Sequence, residues 1–529
     1  MTTLTCHSLR AVEGHDDVFF CAHPRVHARF DIVTRAICKS CALRTQPPPQ
    51  CFRAVGSRPE QSGRRADLQF VVAHYRENLD WLYQFQGIPT VVYEKGDQRA
   101  DLRLPNIGRE AHTYLHHIVA NYERLAPVTV FLQGDPLAHV PDLPDKIWQL
   151  EPDVGFRDFC DLILVEDGNG EPIQPGLGLK ALYEALFGEP SPDFFVCHSA
   201  ACFAVSRENI LCRPRAFYES AMDLVVRRPL GPWEIERLWQ YIFRNRVVRE
   251  GVVTAADAGF FRNLQLFLLS YRRHNRHPLL VMDLGLHEDQ RRWCLEQPGV
   301  TVQSVPTAYP ATTKLRQLHW WQSWLKPFQI YQSAFDRVLW IDADCTVQDD
   351  VTAVLESIGE QPFLVRDGTP IATENNPELY RYLTLPPGTR TEGINLNAGV
   401  VGLCKIRDRA LLNAWAYGVD WAARNPDRQA LSAWVDQGIL LWATHRTGRT
   451  SCIRQDLSWN WPGGSTPQLL QAALGNGCSI LEEIGRRYPA AKIVHWLGIY
   501  KLSGQLDREV ERLFLDGFDG QPGLGTGGS

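Results

Sequence analysis

The sequence predicts an α/β protein whose C-terminal half carries a mostly parallel sheet flanked by helices. Three observations predict it. From residue 252 onward, short apolar runs alternate with segments of helical spacing. Asp257, Asp342 and Asp344 follow apolar runs, at strand ends where sheets of this kind bind their ligands. Residues 67–246 open on another apolar run, "LQFVVAHY", and close on an aromatic helical stretch, so a second α/β domain precedes the first.

The elements of the C-terminal half follow in order. "VVTAAD" is a strand, and the stretch after it is a helix with Phe260, Leu264, Phe267, Leu268 and Tyr271 on one face. "PLLVMDLG" is a strand, "HEDQRRWCLEQ" a helix and "VTVQSVP" a strand. "KLRQLHWWQSWLKPFQIYQ" is helical with a proline-marked break, and "RVLWID" is a strand. Beyond it, "IVHW" reads as one more short apolar strand.

Composition narrows the class. With 529 residues, two or three domains are expected. An apolar fraction of 44% and a charged fraction of 22% are those of a soluble globular chain. A net charge of −5 gives no sign of nucleic-acid or membrane binding. No signal peptide and no run approaching a transmembrane helix is visible, so a cytoplasmic location is expected. Fourteen cysteines then read as buried thiols plus one metal site rather than as disulfides.

The residues "IDADCTV" at 341–347 pose the chemical question. Asp342 and Asp344, two apart on extended chain, are expected to project together, with Ala343 turned away. Two hard carboxylates on one side suit Mg²⁺ or Mn²⁺ holding a diphosphate. The same letters fit a phosphoaspartate site, with Asp342 as nucleophile and Asp344 as acid–base. A polar turn without chemistry is the third reading. The phosphoaspartate reading places its motif on the first strand of a domain and needs a second acidic cluster downstream. Here at least three strand–helix pairs come first, and no convincing cluster follows. Thr346 then reads as part of the turn after the ligands. In "IVHWLGIYK", His495 offers an imidazole to a metal and Lys501 a charge for phosphate, while Gly498 permits close backbone approach.

Five pieces together, "AAD" (255–257), "DAD" (342–344), "NLNAGV" (395–400), "DQG" (436–438) and "HWLGIYK" (495–501), resemble a GT-A-fold glycosyltransferase close to family 8, the retaining galactosyltransferase type. The resemblance implies a GT-A-type sheet over residues 251–505 and a hexosyltransferase-like activity. Ala256 and Asp257 would contact the nucleoside, and Asp342, Asp344 and His495 would hold Mn²⁺ or Mg²⁺. Asn397, Ala398 and Gly399 would line the sugar pocket, and Asp436 would bond sugar hydroxyls. Gln437 would lie opposite the leaving group, and Gly498 and Lys501 would grip the diphosphate. Lys326 is a further phosphate cation or a helix-surface lysine. Leu502-Ser503 departs from the Pro-Trp usual after that lysine, and glycine follows Asp436-Gln437 where an acidic or small residue is commoner. Trp459 and Trp461, on a Gly/Pro loop, are candidates to stack on an acceptor sugar. The expected partners are a nucleotide-sugar donor, most simply a UDP-sugar, and a glycan, lipid-linked or protein acceptor. The rivals are a Mg²⁺-dependent phosphotransferase or phosphatase and an inactive sugar-nucleotide or glycan-binding scaffold.

Residues 67–246 resemble the DUF3431 family, through "HYRENLDWL", "VVYEKGD", "LPNIGREAHTYLHHIVANY" and "VTVFLQGDPLAH". Ala111, Tyr114, Leu115, Ile118, Val119 and Tyr122 form an apolar helical stripe, with Asn106 as its expected cap. His112 and His116, four apart, read as exposed histidines for want of a third ligand. "PNIGRE" resembles a signature of polysaccharide-assembly glycosyltransferases. With the strand end at Gln133, it suggests a second, carbohydrate-acting or carbohydrate-binding site at Arg109, Glu110 and Gln133, against a plain scaffold or acceptor-docking domain. In residues 1–66, Cys21, Cys38, Cys41 and Cys51 make a candidate structural Zn²⁺ site in which His23 can replace one thiolate. Residues 506–529 read as a terminal helix and Gly-rich tail.

Overall fold

The computed structural model describes three short strands within residues 9–34 and then residues 65–496, apart from 66, 97–101, 152–153, 244–247, 306–322, 368–376, 392–393, 432–435, 464–465 and 479. The candidate residues His23, Cys38, Cys41, Cys51, Gly498 and Lys501 lie outside the described residues, as do the expected terminal helix and tail. Strands β1 (Leu9–Ala11), β2 (Val18–Cys21) and β3 (Ile32–Thr34) form an antiparallel sheet, and Cys21 is the last residue of β2.

The chain divides into two compact units, with the break between Val247 and Val248. Both are α/β. The first contains β4 (Leu68–His74), β5 (Thr90–Glu94), β6 (Val128–Gln133), β7 (Phe156–Asp158) and β10 (Phe203–Ser206) in the order β5-β4-β6-β10-β7. A separate antiparallel pair joins β8 (Ile163–Asp167) to β9 (Phe194–His198). In the larger sheet β5, β4 and β6 run parallel and β10 and β7 alternate in direction. Alternation along the strands explains the burial on both faces. Val71 and Phe131 pack against Ala111, Tyr114, Leu115 and Ile118 of helix α1 (Arg109–Asn121), the predicted stripe. Phe70, Val72, Val130 and Leu132 point the other way, onto Trp81, Phe85, Leu143 and Ile147. Asn106 does not cap α1. The N-cap is Gly108 in the left-handed region (φ 61°), with no side-chain capping bond. His112 also departs from expectation. It is buried, because the covered face of α1 is wider than the apolar stripe, and its ring stacks on His116 at 6.2 Å. Burial, with Lys95 nearby, lowers the His112 imidazole to about 4.

The second unit carries β11 (Glu250–Ala256), β12 (Leu279–Asp283), β13 (Val300–Ser304), β14 (Arg337–Ile341), β16 (Phe363–Val365), β17 (Asn397–Cys404) and β18 (Ile453–Arg454), in the order β13-β12-β11-β14-β17-β16-β18. The first three pairings are parallel, as the strand–helix alternation requires. Helix α2 (Phe261–His274) buries Leu264, Phe267, Leu268 and Tyr271 in the core over this sheet. Strand β17 is antiparallel to β14, pairing Val400 with Ile341. Its direction matters, because it brings the start of β17, Asn397–Gly399, to the carboxyl end of β14, where the aspartates stand. A second small sheet aligns β15 (Cys345–Val347), β20 (Ile493–Trp496) and β19 (Trp461–Gly463). Among the described residues no helix is long and apolar enough to cross a membrane.

At Gly402 strand β17 is pressed closely by its neighbours. A Cβ there would meet Ile358 Cδ1 at 2.5 Å and Phe363 Cβ at 2.8 Å. Gly402→Ala is expected to lose about 1–3 kcal/mol by overpacking, read as a lower midpoint in urea unfolding of the full chain.

Candidate functional site

The turn after β14 is fixed from two sides. Asp342 N–H donates to Gly399 O at 2.8 Å, and Trp496 N–H donates to Asp344 O at 2.9 Å. One bond ties the aspartates to β17 and the other to β20. Cys345 pairs with His495 across the β15–β20 ladder. Residues 150 positions apart are thereby side by side, with Trp496 Nε1 donating to Thr346 Oγ1 at 3.1 Å. Thr346 is therefore a buried strand residue, not part of the turn.

His495 is 9% exposed and bonded at both ring nitrogens. Nδ1 lies 3.1 Å from Asn460 Oδ1, and Nε2 lies 3.4 Å from Asp344 Oδ1. An amide oxygen only accepts, so Nδ1 carries the proton in that bond, and Nε2 faces Asp344, donating to its carboxylate when the ring is protonated and offering its lone pair to a cation when the ring is neutral. With Nδ1 held by Asn460, the neutral ring has the orientation a metal ligand needs. Burial disfavours the imidazolium, but the Asp344 and Asp342 carboxylates outweigh it and raise the imidazole pKa. Gly399 makes room for the ring. A Cβ there would meet His495 Cε1 at 2.5 Å and Nδ1 at 2.7 Å.

Asp342 takes a different position. Trp340 Nε1 donates to its Oδ1 at 2.6 Å, and Lys326 Nζ donates to its Oδ2 at 2.9 Å. Among the described residues, the three candidate ligand atoms that lie within 4.8 Å of one another belong to Asp344, Cys345 and His495. Two of the three expected metal ligands are thus brought together, and the third faces a lysine. Cys345 is a poor substitute for a hard cation. Burial, with Asp344 and Asp342 adding to it, pushes the thiol well above its usual range.

Lys326 opens helix α3 (Lys326–Gln332) and is only 5% exposed, so it is not a surface lysine. Its ammonium bonds Asp342 and the Ala398 carbonyl (3.2 Å), with Asp436 Oδ1 at 3.6 Å. Burial works against this charge, but the attraction of Asp342 and Asp436 holds its pKa above the ordinary lysine value. Burial pushes the Asp436 carboxyl up to about 7, against the pull of Lys326. Asp436 Oδ2 is buried without a hydrogen-bond partner, an acceptor that a ligand hydroxyl would satisfy. Beside it Gln437, first residue of α4 (Gln437–Arg446), donates Nε2 to Asp367 Oδ2 at 2.9 Å and accepts from Ala398 N–H at 3.4 Å. Asn397 donates to the same Asp367 at 3.4 Å and accepts from Gly399 N–H at 2.7 Å.

Asp257 caps the 3₁₀ turn after β11, accepting from Phe260 N–H at 3.0 Å, and Ala256 is the last residue of β11. Trp459 is not available for stacking. It is buried, edge-to-face with Phe363 at 5.9 Å and under Lys492 Nζ at 4.4 Å. Trp461 is exposed. Sequence reading missed Asp367 and Asn460. Asp367 closes "FLVRD", an apolar run ending in aspartate, which is the signal that marked the others. Asn460 has no local signal.

In the first unit, Arg109, Glu110 and Gln133 line one cavity of about 370 Å³, together with His74, Glu77, Lys95 and other residues.

The match to known families is partial. Residues 70–147 and 166–254 match the family "Protein of unknown function (DUF3431)". No curated protein matches the chain. Among solved structures the chain is similar to mouse xyloside xylosyltransferase 1 in its apo form (13% identity, 48% of this chain, 100% of that chain, TM-score 0.33). It is similar to the galactosyltransferase LgtC with donor and acceptor sugar analogues (16%, 50% and 95%, TM-score 0.32). It is also similar to the bifunctional glycosyltransferase WbbM (12%, 84% and 97%, TM-score 0.36).

Lys326→Met strands two carboxylates and is expected to cost about 3–5 kcal/mol, seen as a lower unfolding midpoint that Lys326→Arg largely restores. Asn460→Leu frees the His495 ring, and a loss of about 10–100-fold in divalent-metal affinity is expected, measured by titration with Mn²⁺.

Proposed function

We propose that the second unit is a metal-dependent glycosyltransferase of GT-A type. It moves a sugar from a nucleotide-sugar, a UDP-sugar, to a glycan, lipid-linked or protein acceptor with retention of configuration. The observation that carries this is His495, whose Asn460 bond turns Nε2 toward Asp344 beside the carboxyl end of a parallel strand. Asp344 and His495, with Asp342 adjacent, would hold Mn²⁺ or Mg²⁺. When bound, the ion supplies positive charge for the departing nucleoside diphosphate.

The chain's own groups do the rest. Ala256 and Asp257 would meet the nucleoside at the end of β11, and Gly498 and Lys501 would grip the diphosphate. Asp436 Oδ2 accepts a sugar hydroxyl, while Lys326 fixes the other oxygen of that carboxylate. Asn397, Ala398 and Gly399 wall the sugar. Gln437, held by Asp367 and Ala398, presents a positioned amide dipole to the anomeric carbon from the side away from the leaving group. Asp367 is committed to Gln437 and Asn397, which leaves same-face attack, with the departing phosphate taking the acceptor's proton, as the economical route.

The phosphotransferase reading fits less well. Asp342 as nucleophile would attack from a carboxylate whose oxygens each accept a bond, from Trp340 and from a lysine ammonium, and such bonds lower its nucleophilicity. Thr346 is buried and accepts from Trp496. An inactive scaffold would bind donor and turn over nothing. The middle unit joins the reading as a carbohydrate-acting or acceptor-binding partner.

A screen of nucleotide-sugars with and without Mn²⁺ tests the reading. Transfer or hydrolysis from one UDP-sugar is expected to require the metal. Asp344→Asn should lower it by on the order of 10²–10³-fold, the scale of one lost electrostatic stabiliser. Gln437→Ala should lower kcat with donor KM unchanged. Phosphate release from simple esters, with no sugar turnover, would instead mark a phosphatase.

A further inference from the structure

The cavity of the first unit has the position and lining of a ligand site in its own right. It opens at the carboxyl ends of β4, β5 and β6. In sequence the chain steps from β4 outward to β5 and then to β6 on the other side of β4, so the parallel strands reverse their order there. Open α/β sheets bind ligands at such a reversal. The volume of about 370 Å³ falls within the range of small-molecule sites.

The walls are held rigidly. His74, 4% exposed, is bonded through Nδ1 to Glu94 and through Nε2 to Glu77 O at 3.0 Å. Lys95, 6% exposed, donates to the carbonyls of Ile107 (2.6 Å) and Arg109. Burial lowers this ammonium to about 8. Its contacts fix the loop that enters α1. Arg109 itself sits at φ 49°, a conformation costly for a residue with a Cβ. Gly134 lets Glu77 lie over the end of β6, since a Cβ there would stand 2.4 Å from Glu77 Oε2.

The chemistry of the lining selects the ligand. Glu77, Glu110 and Asp135 supply carboxylates and Gln133 an amide, and Arg109 is a cation already 3.4 Å from Glu110. The second cation, Lys95, is spent on backbone carbonyls. An anionic ligand would meet more negative than positive charge. A neutral ring bearing hydroxyls would donate to the carboxylates, exchange bonds with the amide and contact Tyr75, which is exposed at the cavity with the Arg76 guanidinium over one face of its ring.

We propose that this cavity is a saccharide-binding site in the first unit; it rests on the carbohydrate reading of that unit and does not require transfer in the second. Its ligand is a neutral sugar ring, presented as a free glycan or as the sugar of a nucleotide-sugar.

Saturation-transfer NMR on the full chain tests it, with a panel of neutral mono- and disaccharides, UDP-sugars, UDP and inorganic phosphate as probes. Asp344→Asn serves as background, so that failure of the transfer reading leaves the measurement intact. At least one neutral saccharide or UDP-sugar is expected to bind through its sugar protons. Gln133→Ala, Asp135→Asn and Tyr75→Ala, at exposed or half-exposed positions, should each weaken it tenfold or more at unchanged thermal midpoint. Saturation by free saccharides identifies a glycan ligand, and saturation by UDP-sugars alone identifies a nucleotide-linked one. No sugar binding, sugar binding that the three substitutions leave intact, or equal binding of UDP or phosphate at those residues would overturn the proposal.

Discussion

A single buried ammonium organises the second unit's site. Lys326 Nζ sits among Asp342, Asp436 and the Ala398 carbonyl, and it joins three stretches far apart in the chain. A charge removed from water to this extent is tolerated only because it is paired on more than one side. Its neighbours inherit their states from it. Asp342 keeps one oxygen on the lysine, and Asp436 keeps one oxygen near the lysine and one without a hydrogen-bond partner. The lysine thus ties the Asp342 and Asp436 carboxylates to one buried charge.

The backbone makes that arrangement available. A wholly parallel sheet would put a helix-linked strand beside β14. The antiparallel β17 instead starts beside the Asp342–Asp344 turn, and Gly399 faces the His495 ring with no side chain between. The small sheet then delivers His495 from the far end of the described chain and locks it through Asn460. Two sheets meeting at one turn therefore bring Asp344, His495, Asn397–Gly399 and the Gln437 amide together without a long loop.

Much of this was legible in the sequence because the signals are local. Alternating apolar runs gave the strands, and aspartates at their ends gave Asp257, Asp342 and Asp344. The partnership of Asp344 with His495 came from motif resemblance across a long gap, not from periodicity. What stayed hidden depends on pairing that no window contains. Lys326 meets Ala398 across 72 positions and His495 meets Asn460 across 35. Asn106 looked like a cap, but Gly108 and Arg109 at positive φ turn the chain into the helix differently. Trp459 looked like a loop aromatic, but the short β19 that follows and Phe363 draw it into the core.

The central claim is that Asp344 and His495 hold a divalent cation for a nucleoside diphosphate. Pulsed electron paramagnetic resonance of Mn²⁺ bound to the full chain with UDP tests it most directly. The account predicts ¹⁴N modulation from one directly bound histidine, absent in His495→Gln. Bound Mn²⁺ without that modulation, or with modulation unchanged in His495→Gln, would contradict it.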